Sequence, residues 1–360
     1  MQIGIIGLPN SSKTTIFDAL TRENVETTPF SSGQFEIHSA VVDVPDPRVD
    51  RLAAMFRPRK VTRARVQYND IAGLTPGAGK SGGFAGPLLN AIAANDALLH
   101  VVRAFEDDSV PHARGKVDPV RDLHDLDVEL ILSDLGIVER RMERLEKDMR
   151  RSGPVGDAAR AEMALMQRFK DALENEIPLR DLDLTPDEER LVRGFALLTL
   201  KPVLVVLNVG DEGPADPSAI LTYPHRRSAV IALRGALEKE IAQLDAEAAE
   251  LFLTEYGISE PSLRRMIRLS YDLLGLHSFF TVGEDEVRAW TIRKGDTALQ
   301  AAAAIHTDLA RGFIRAEVVA YDDLIAAGSL AEARQRGLVR LQGRDYVVQD
   351  GDILNIRFNV

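Results

Sequence analysis

The chain has 360 residues, 45% apolar and 28% charged, which is enough for two or three packed domains and shows no bias towards disorder. The absence of cysteine excludes disulfides, thiolate metal sites and thiol nucleophiles within it. A net charge of −11 argues against a globally basic nucleic-acid binder. No apolar run approaches the roughly 20 residues that span a bilayer, and the N-terminus has no signal-peptide pattern, so we expect a cytoplasmic protein.

The N-terminal segment combines a strand, a turn and a helix in the order that a phosphate-binding loop requires. Residues 2–6 form an apolar, β-branched run typical of a buried parallel strand, and residues 14–21 carry apolar side chains at helical spacing. The turn between them fits the pattern G-x-x-x-x-G-K-[ST] at Gly7, Lys13 and Thr14. Loop amides, the helix N-terminus and the lysine bind phosphates in such a turn, and the Thr14 hydroxyl can bind Mg²⁺. The predicted nucleotide-binding residues of this segment are Asn10, Ser11, Ser12, Lys13, Thr14 and Thr15.

The second glycine of this pattern is replaced by Ser12. If the backbone there requires a positive φ, the strain is of order 1 kcal/mol or more. We therefore expect nucleotide binding to survive in a weakened form.

A second element follows the predicted strand at residues 64–69. Asp70-Ile71-Ala72-Gly73 has the D-x-x-G pattern of nucleotide-hydrolysing switch proteins. The acid can hold a Mg²⁺-bound water, and the Gly73 amide can reach the γ-phosphate. Many GTPases have a water-orienting glutamine next, where this chain has Leu74, so hydrolysis must use another group or be slow.

The strand at residues 202–207 ends in a candidate base-binding element, Asn208-Val209-Gly210-Asp211. It resembles N-K-x-D with valine in place of lysine. A carboxylate at Asp211 can accept hydrogen bonds from N1 and N2 of guanine, which adenine does not offer. The pattern hints at guanine without deciding between the two bases.

The remaining segments indicate two further domains. Apolar residues from Val128 to Met149 alternate spacings of three and four, which predicts a coiled-coil helix returning along residues 158–174, and residues 182–200 predict another helix. Short strands and a helix after residue 278 predict a compact α+β module. The predicted boundaries are 1–118 and 196–277 for the two parts of the nucleotide-binding domain, 119–195 for the helical insertion and 278–360 for the module.

The chain resembles the YchF or Obg-like ATPase family of P-loop proteins over nearly its full length. The likeness is strongest in EVRAWTI (286–292), IHTDLARGFIRAEV (305–318) and DGDILNIRFNV (350–360), which are similar to the family's TGS domain, a β-grasp module. VPDPR (44–48), DIAGL (70–74) and LTLKP (198–202) add to it. The implied fold class is α/β: a P-loop G domain with a mostly parallel doubly wound sheet, an inserted helical hairpin and a C-terminal α+β domain.

The resemblance also implies function. It implies ATP as the favoured nucleotide, Mg²⁺, and a role associated with the ribosome or with stress. It implies that His112 assists hydrolysis, beside Leu74 in the glutamine position, and that Ser32 keeps a metal-binding hydroxyl of the family's PFCT string. The departures from the family pattern are Ser12, the loss of the thiol in residues 29–32, the altered string at 81–86, and Asp211 where the family has glutamate.

Two functions remain open from the sequence. The first is a monomeric nucleotide-dependent switch that slowly hydrolyses ATP, or GTP, with Mg²⁺ and binds a ribosome or another RNA–protein complex, without membrane contact. The alternative is a non-catalytic adaptor that keeps the same scaffold and is insensitive to nucleotide. Direct RNA binding through the basic residues of 57–65 or 140–144 is a third hypothesis, and it predicts salt-dependent association.

Overall fold

The computed structural model describes residues 1–22, 27–31, 36–71, 86–112, 114–255, 258 and 260–359. They group into two compact units, 1–42 with 67–266 and 43–66 with 267–360. The strands are β1 (Gln2–Ile6), β2 (Thr27–Ser31), β3 (Glu36–Asp43), β4 (Lys60–Thr62), β5 (Arg65–Asp70), β6 (Ala97–Ala104), β7 (Val203–Val209), β8 (Ser228–Leu233), β9 (Leu276–Val282), β10 (Glu286–Arg293), β11 (Phe313–Val319), β12 (Arg340–Gln342) and β13 (Ile353–Phe358). The helices are α1 (Lys13–Arg22), α2 (Pro47–Phe56), α3 (Gly86–Ala93), α4 (Pro119–Asp148), α5 (Pro154–Glu174), α6 (Pro186–Val192), α7 (Gly235–Ile241), α8 (Ala246–Glu255), α9 (Ser262–Leu273), α10 (Ala298–Ile305), α11 (Thr307–Arg311), α12 (Tyr321–Ala327) and α13 (Leu330–Gln335).

The first unit is built on a seven-stranded sheet in the order β2-β3-β5-β1-β6-β7-β8. β1 pairs in parallel with β5 and β6, and β7 pairs in parallel with β6 and β8. These inner strands are apolar on both faces because helices cover them, and β7 is buried throughout. The polar, turn-rich sequence of residues 22–34 is typical of an irregular loop, but Thr27–Ser31 forms β2, which pairs antiparallel with β3.

The helical hairpin of α4 and α5 has its own apolar core. Ile131, Val138 and Leu145 of the predicted seam are buried against Leu165 and Phe169 of α5. Arg141 adds a two-pronged ion pair to Glu162, with Nε–Oε1 at 2.6 Å and Nη2–Oε2 at 2.7 Å. Within the described ranges, no helix is both long and apolar enough to cross a membrane.

The helix predicted over residues 182–200 was wrong beyond its first two turns. Thr185 begins α6 with a capping box to Glu188, and the helix ends at Val192. Downstream, Ala196 has a φ of 53°, and the buried Asp134 of α4 accepts the amides of Leu198 and Thr199. These amides cannot serve a helix, because a carboxylate on another element already binds them.

The second unit contains a six-stranded sheet in the order β12-β11-β13-β9-β10-β4. β4 comes from residues 43–66 and pairs in parallel with β10, so this unit takes a strand and helix α2 from far upstream. This grouping differs from the predicted boundaries, which place 43–66 in the nucleotide-binding domain and begin the module at 278. The run YVVQ at 346–349 is typical of a strand, but there Val347 makes only an isolated bridge, and the nearby strand is β12.

Arg48 holds the two parts of the second unit together. Its guanidinium contacts Asp46, the N-cap of α2, and makes a two-pronged ion pair with Asp350 at 2.9 and 3.1 Å. Its Cζ also lies 5.1 Å from the ring centre of Phe280. The VPDPR and DGD strings quoted above are thus joined by one side chain.

Replacing Arg48 with lysine should lower the free energy of unfolding of this unit by about 2 kcal/mol, because one ammonium cannot make both forked ion pairs. The chain's single tryptophan, Trp290 on β10, reports this unit by fluorescence during urea unfolding. Arg59→Lys is the matched control, since Arg59 makes a 3.6 Å pair with Asp285 in which both side chains are almost fully exposed. Equal urea midpoints for the two variants would contradict the role given to Arg48.

Candidate nucleotide site

The predicted site residues converge on one edge of the parallel sheet. β1, β5, β6 and β7 run in parallel, so their carboxyl ends lie at the same edge. The phosphate loop follows β1, Asp70 ends β5, and Asn208 lies near the end of β7. In open α/β sheets, ligands bind at this edge where the strand order reverses, and β1 occupies that point here, between β5 and β6.

The phosphate loop between β1 and α1 has two residues in the left-handed region, Asn10 with a φ of 63° and Ser12 with a φ of 66°. The strain predicted for a serine at position 12 required a positive φ, and the backbone has a positive φ there. Gly7 is required for close approach, since a Cβ there would lie 2.5 Å from the carbonyl oxygen of Val101. α1 begins at Lys13, so the loop leads directly into a helix N-terminus, with Thr14 and Thr15 in the first turn.

Lys13 is the electrostatic centre of the loop. Only 7% of the residue is exposed, and its ammonium donates to the carbonyl oxygens of Gly7 at 3.1 Å and Leu8 at 3.0 Å. Burial lowers the pKa of Lys13, and the nearby Asp70 carboxylate opposes that shift. The buried Ser11 hydroxyl has no hydrogen-bond partner among the described residues. A buried cation and an unpartnered hydroxyl at a helix N-terminus are an arrangement that fits an anionic ligand.

Asp70 and Thr14 together provide two oxygen ligands for a cation. Burial raises the pKa of Asp70, while Lys13 and a hydrogen bond from Thr14 lower it. A buried carboxylate with a raised pKa gains free energy from a bound cation. Mg²⁺ in nucleotide sites takes one or two protein oxygens and completes its shell with phosphates and water, so this pair fits it. Ser32 and Gly73, the other predicted metal and nucleotide residues of the switch segments, lie outside the described residues, as does Leu74.

His112 lies beside the phosphate loop and is turned into the protein. It lines a small cavity together with Leu8, Pro9 and Ser11. Its Nε2 is 2.7 Å from Oδ2 of Asp122, and the amide of Arg114 donates to its Nδ1 at 3.2 Å. His100, expected to be a packed residue, is fully buried on β6, and burial lowers its pKa to about 3.

The candidate base element uses its asparagine for structure. Asn208 is 3% exposed, and its Oδ1 accepts the amide of Gly235 at 3.0 Å. A Cβ at residue 235 would lie 2.7 Å from that oxygen, so glycine is needed there. Val209 is buried, whereas Asp211 is exposed and available to a ligand. Sequence reasoning missed Gly235, and its only signal was a glycine after the strand at 228–233.

Several residues of the two basic runs proposed for RNA form ion pairs with carboxylates. Arg59, Lys60 and Arg65 pair with Asp285, Glu286 and Asp43, and Arg63 pairs with Asp50. In the hairpin, Arg141 pairs with Glu162. A basic residue that already pairs with a carboxylate gains less from a nucleic-acid phosphate, so salt-dependent RNA binding remains a hypothesis to be tested with charge-neutral variants.

The mostly parallel sheet, the loop entering α1, the buried Lys13 and the Thr14–Asp70 pair define a P-loop nucleotide-binding protein of the G-domain class. The predicted fold class is confirmed. A family model named YchF-GTPase_C, described as "Protein of unknown function (DUF933)", matches residues 276–359.

Comparison with known proteins identifies the family. The chain is 43% identical to the Ribosome-binding ATPase YchF of Bacillus subtilis and 41% identical to that of Escherichia coli O157:H7, over 99% of each chain. The YchF GTPase of Schizosaccharomyces pombe superposes with a TM-score of 0.86 and is 30% identical, covering 99% of this chain and 97% of that one. The chain belongs to the YchF family.

Proposed function

We propose that the protein is a nucleotide-dependent switch that binds ATP with Mg²⁺ and hydrolyses it slowly. The observation that carries the proposal is the buried Lys13 ammonium, held inside the phosphate loop beside the Thr14–Asp70 pair. Among the described residues, this ammonium donates its hydrogen bonds to two loop carbonyls. Phosphate oxygens are stronger, charged acceptors, so nucleotide binding offers Lys13 a better partner.

Each residue has a role in this proposal. Lys13 and the loop amides bind the phosphates, and Thr14 and Asp70 hold Mg²⁺, which neutralises charge on the phosphates when bound. The family resemblance adds Ser32 as a metal ligand, Gly73 as a phosphate contact and His112 as the residue that orients water. Slow hydrolysis follows from Leu74 in the glutamine position and from the enclosed position of His112.

ATP is the proposed nucleotide because the bacterial relatives at 41–43% identity are named ATPases. Asp211 is the residue that would admit GTP, since its exposed carboxylate can accept two guanine hydrogens. The same names support a ribosome-associated role for this chain. The hairpin and the C-terminal unit are the proposed partner surfaces.

Paired calorimetric titrations with ATP and GTP, each with and without Mg²⁺, test the proposal. We expect Mg²⁺-dependent binding, tighter for ATP than for GTP. The absence of Mg²⁺-dependent binding of either nucleotide at millimolar concentration would contradict it and would favour the nucleotide-insensitive adaptor.

Ser12→Gly should strengthen both binding and folding. Glycine adopts a φ of 66° without steric strain, so the free energy of unfolding should rise by about 0.5–1 kcal/mol after the extra chain entropy of glycine is subtracted. Removing the side chain also lets phosphate approach the backbone, so ATP affinity should rise about fivefold. The matched control is Ser11→Gly, the same change at a neighbouring residue without a positive φ, which should lower stability. A Ser12→Gly variant that binds ATP no better would show that the serine does not limit binding.

A further inference from the structure

The contact between His112 and Asp122 joins the phosphate-loop region to the long helix of the hairpin. Asp122 lies in the first turn of α4, and its side chain is 5% exposed, against 6% for His112. Arg121 adds a second partner, with its Nη2 2.8 Å from Oδ1 of Asp122. The carboxylate therefore has a hydrogen-bond partner at each oxygen.

Further contacts tie the same segment to its neighbours. Asn10 of the phosphate loop donates to the carbonyl oxygen of Pro111 at 3.3 Å. On the other side, Arg114 pairs with Asp125 of α4 at 2.9 Å, and Arg121 donates to the carbonyl oxygen of Lys116 at 2.8 Å. Pro111 therefore contacts the phosphate loop, while Arg114 and Lys116 contact the first two turns of α4.

The hydrogen bonds define the imidazole tautomer. The amide of Arg114 donates to Nδ1, so Nδ1 is an acceptor and the proton of the neutral ring lies on Nε2, which donates to Asp122. Both ring nitrogens are occupied by protein groups, and the ring is almost fully enclosed. In this orientation His112 cannot accept a hydrogen bond from an attacking water.

We propose that Asp122 is a positioning residue that holds His112 away from the reacting water, so that the first turn of α4 sets the rate of hydrolysis. The inference rests on the proposed function, in which His112 orients that water. An Asp–His pair can instead orient a histidine for catalysis. That role requires the far nitrogen to be free, and here Nδ1 is occupied by the Arg114 amide. Because α4 continues into the hairpin, a partner that moves the hairpin would change this same contact.

The test compares single-turnover ATP hydrolysis by five full-length proteins: wild type, Asp122→Ala, Asp122→Asn, His112→Ala and the double variant Asp122→Ala/His112→Ala. Asp122→Ala should raise the rate at least about fivefold, because a charge-assisted hydrogen bond no longer holds the ring. Asp122→Asn retains a neutral acceptor and should raise it less, about twofold. The double variant should be as slow as His112→Ala. Glu143→Gln, an exposed carboxylate elsewhere on α4, is the control and should match wild type.

Imidazole nitrogen NMR gives a readout that does not depend on activity. Wild type should show one fixed Nε2–H tautomer for His112, assigned by its loss in His112→Gln, and Asp122→Ala should show a tautomer mixture. Circular dichroism checks that Asp122→Ala folds. If it does not fold, the hydrolysis rate and the His112 tautomer are both measured on Asp122→Asn instead.

The outcomes separate this inference from the proposed function. A rate that is unchanged or reduced in the Asp122 variants, with ATP binding intact and His112→Ala slow, overturns the inference and leaves the function standing. A double variant that is as fast as Asp122→Ala overturns the inference together with the role of His112, because the gain in rate would then not depend on the imidazole. Loss of Mg²⁺-dependent nucleotide binding in wild type overturns the proposed function itself.

Discussion

Replacing Lys13 with methionine should lower the affinity for Mg²⁺–ATP by roughly 100-fold, because the phosphates lose a charge-assisted hydrogen bond inside a buried loop. The loop amides and the helix N-terminus remain, so binding should weaken without vanishing. Calorimetry with millimolar nucleotide measures the change. Lys170→Met on the hairpin is the matched control, since this lysine of α5 pairs with Glu139 of α4 and Glu174 of α5, and it should leave the affinity unchanged.

The same variant should not lose stability, which separates a binding defect from misfolding. Burial lowers the pKa of Lys13, so the charged form is disfavoured in the folded protein before any ligand arrives. Methionine has a similar length and no charge to desolvate, and its melting temperature should equal or exceed that of wild type. A variant that melts lower, or that binds ATP as wild type does, would contradict the role of Lys13 as the phosphate-binding cation.

Replacing Asp134 with alanine should destabilise the first unit by about 4 kcal/mol, since three buried donors lose their acceptor. Asp134 is fully buried and accepts from Leu198 N at 2.8 Å, Thr199 N at 2.7 Å and the Thr199 hydroxyl at 2.6 Å. Urea unfolding followed by the helical circular dichroism of α4 and α5 measures the loss. Asp171→Ala is a control of the same chemistry, because this carboxylate lies on the exposed side of α5.

Asp134 should also make stability depend on pH in an unusual direction. Burial raises the pKa of Asp134 to about 6, and the hydrogen bonds from Thr199 and Leu198 only partly oppose this shift. Between about pH 4 and pH 6 the unfolded chain has released this proton while the folded protein retains it. The raised pKa of Asp134 therefore contributes its full stabilisation of the folded protein below about pH 4. This contribution to the free energy of unfolding is lost as the pH rises through 6, and the loss is about 3 kcal/mol for a pKa shift of about two units.

Asp134→Asn isolates this effect because asparagine does not titrate. Other buried acids, including Asp70 and Asp352, also have raised pKa values, so the informative quantity is the stability of wild type minus that of the asparagine variant at each pH. This difference should fall between pH 4 and pH 6.5. Parallel pH profiles for the two proteins would contradict the raised pKa.

Local pattern predicted the inner strands of the first unit well and its connections poorly. β1 begins and ends at the predicted residues, and β5 and β7 lie within two residues of the strands predicted at 64–69 and 202–207. The prediction of a helix over residues 182–200 was wrong because the amides of Leu198 and Thr199 bind Asp134, which is 64 residues from Leu198 in the sequence. β4 was not predicted, because a strand of three residues shows no periodicity and forms only through its pairing with β10.

The residues of the candidate site also divide into those that local motifs predict and those that only the packing reveals. Lys13, Thr14 and Asp70 follow from local motifs because each motif carries its strand or helix with it. Asp122 and Gly235 could not be predicted, since neither belongs to a recognisable motif and each acts through a residue outside its own helix. Ser12 is an intermediate case. The sequence showed that a positive φ at this serine would cause strain, and only the structure showed that the φ is positive.

The sequence by itself therefore determined the class of protein and predicted the phosphate-binding loop and the residues proposed to hold Mg²⁺, because these depend on short-range order of strand, turn and helix. The tertiary structure alone decided that β4 joins the C-terminal sheet and that Asn208 supports Gly235. It also decided that His112 is held by α4. The physical reason is that each of these facts depends on contacts between different segments of the chain, and these contacts are decided by how the elements pack and not by any pattern within one element.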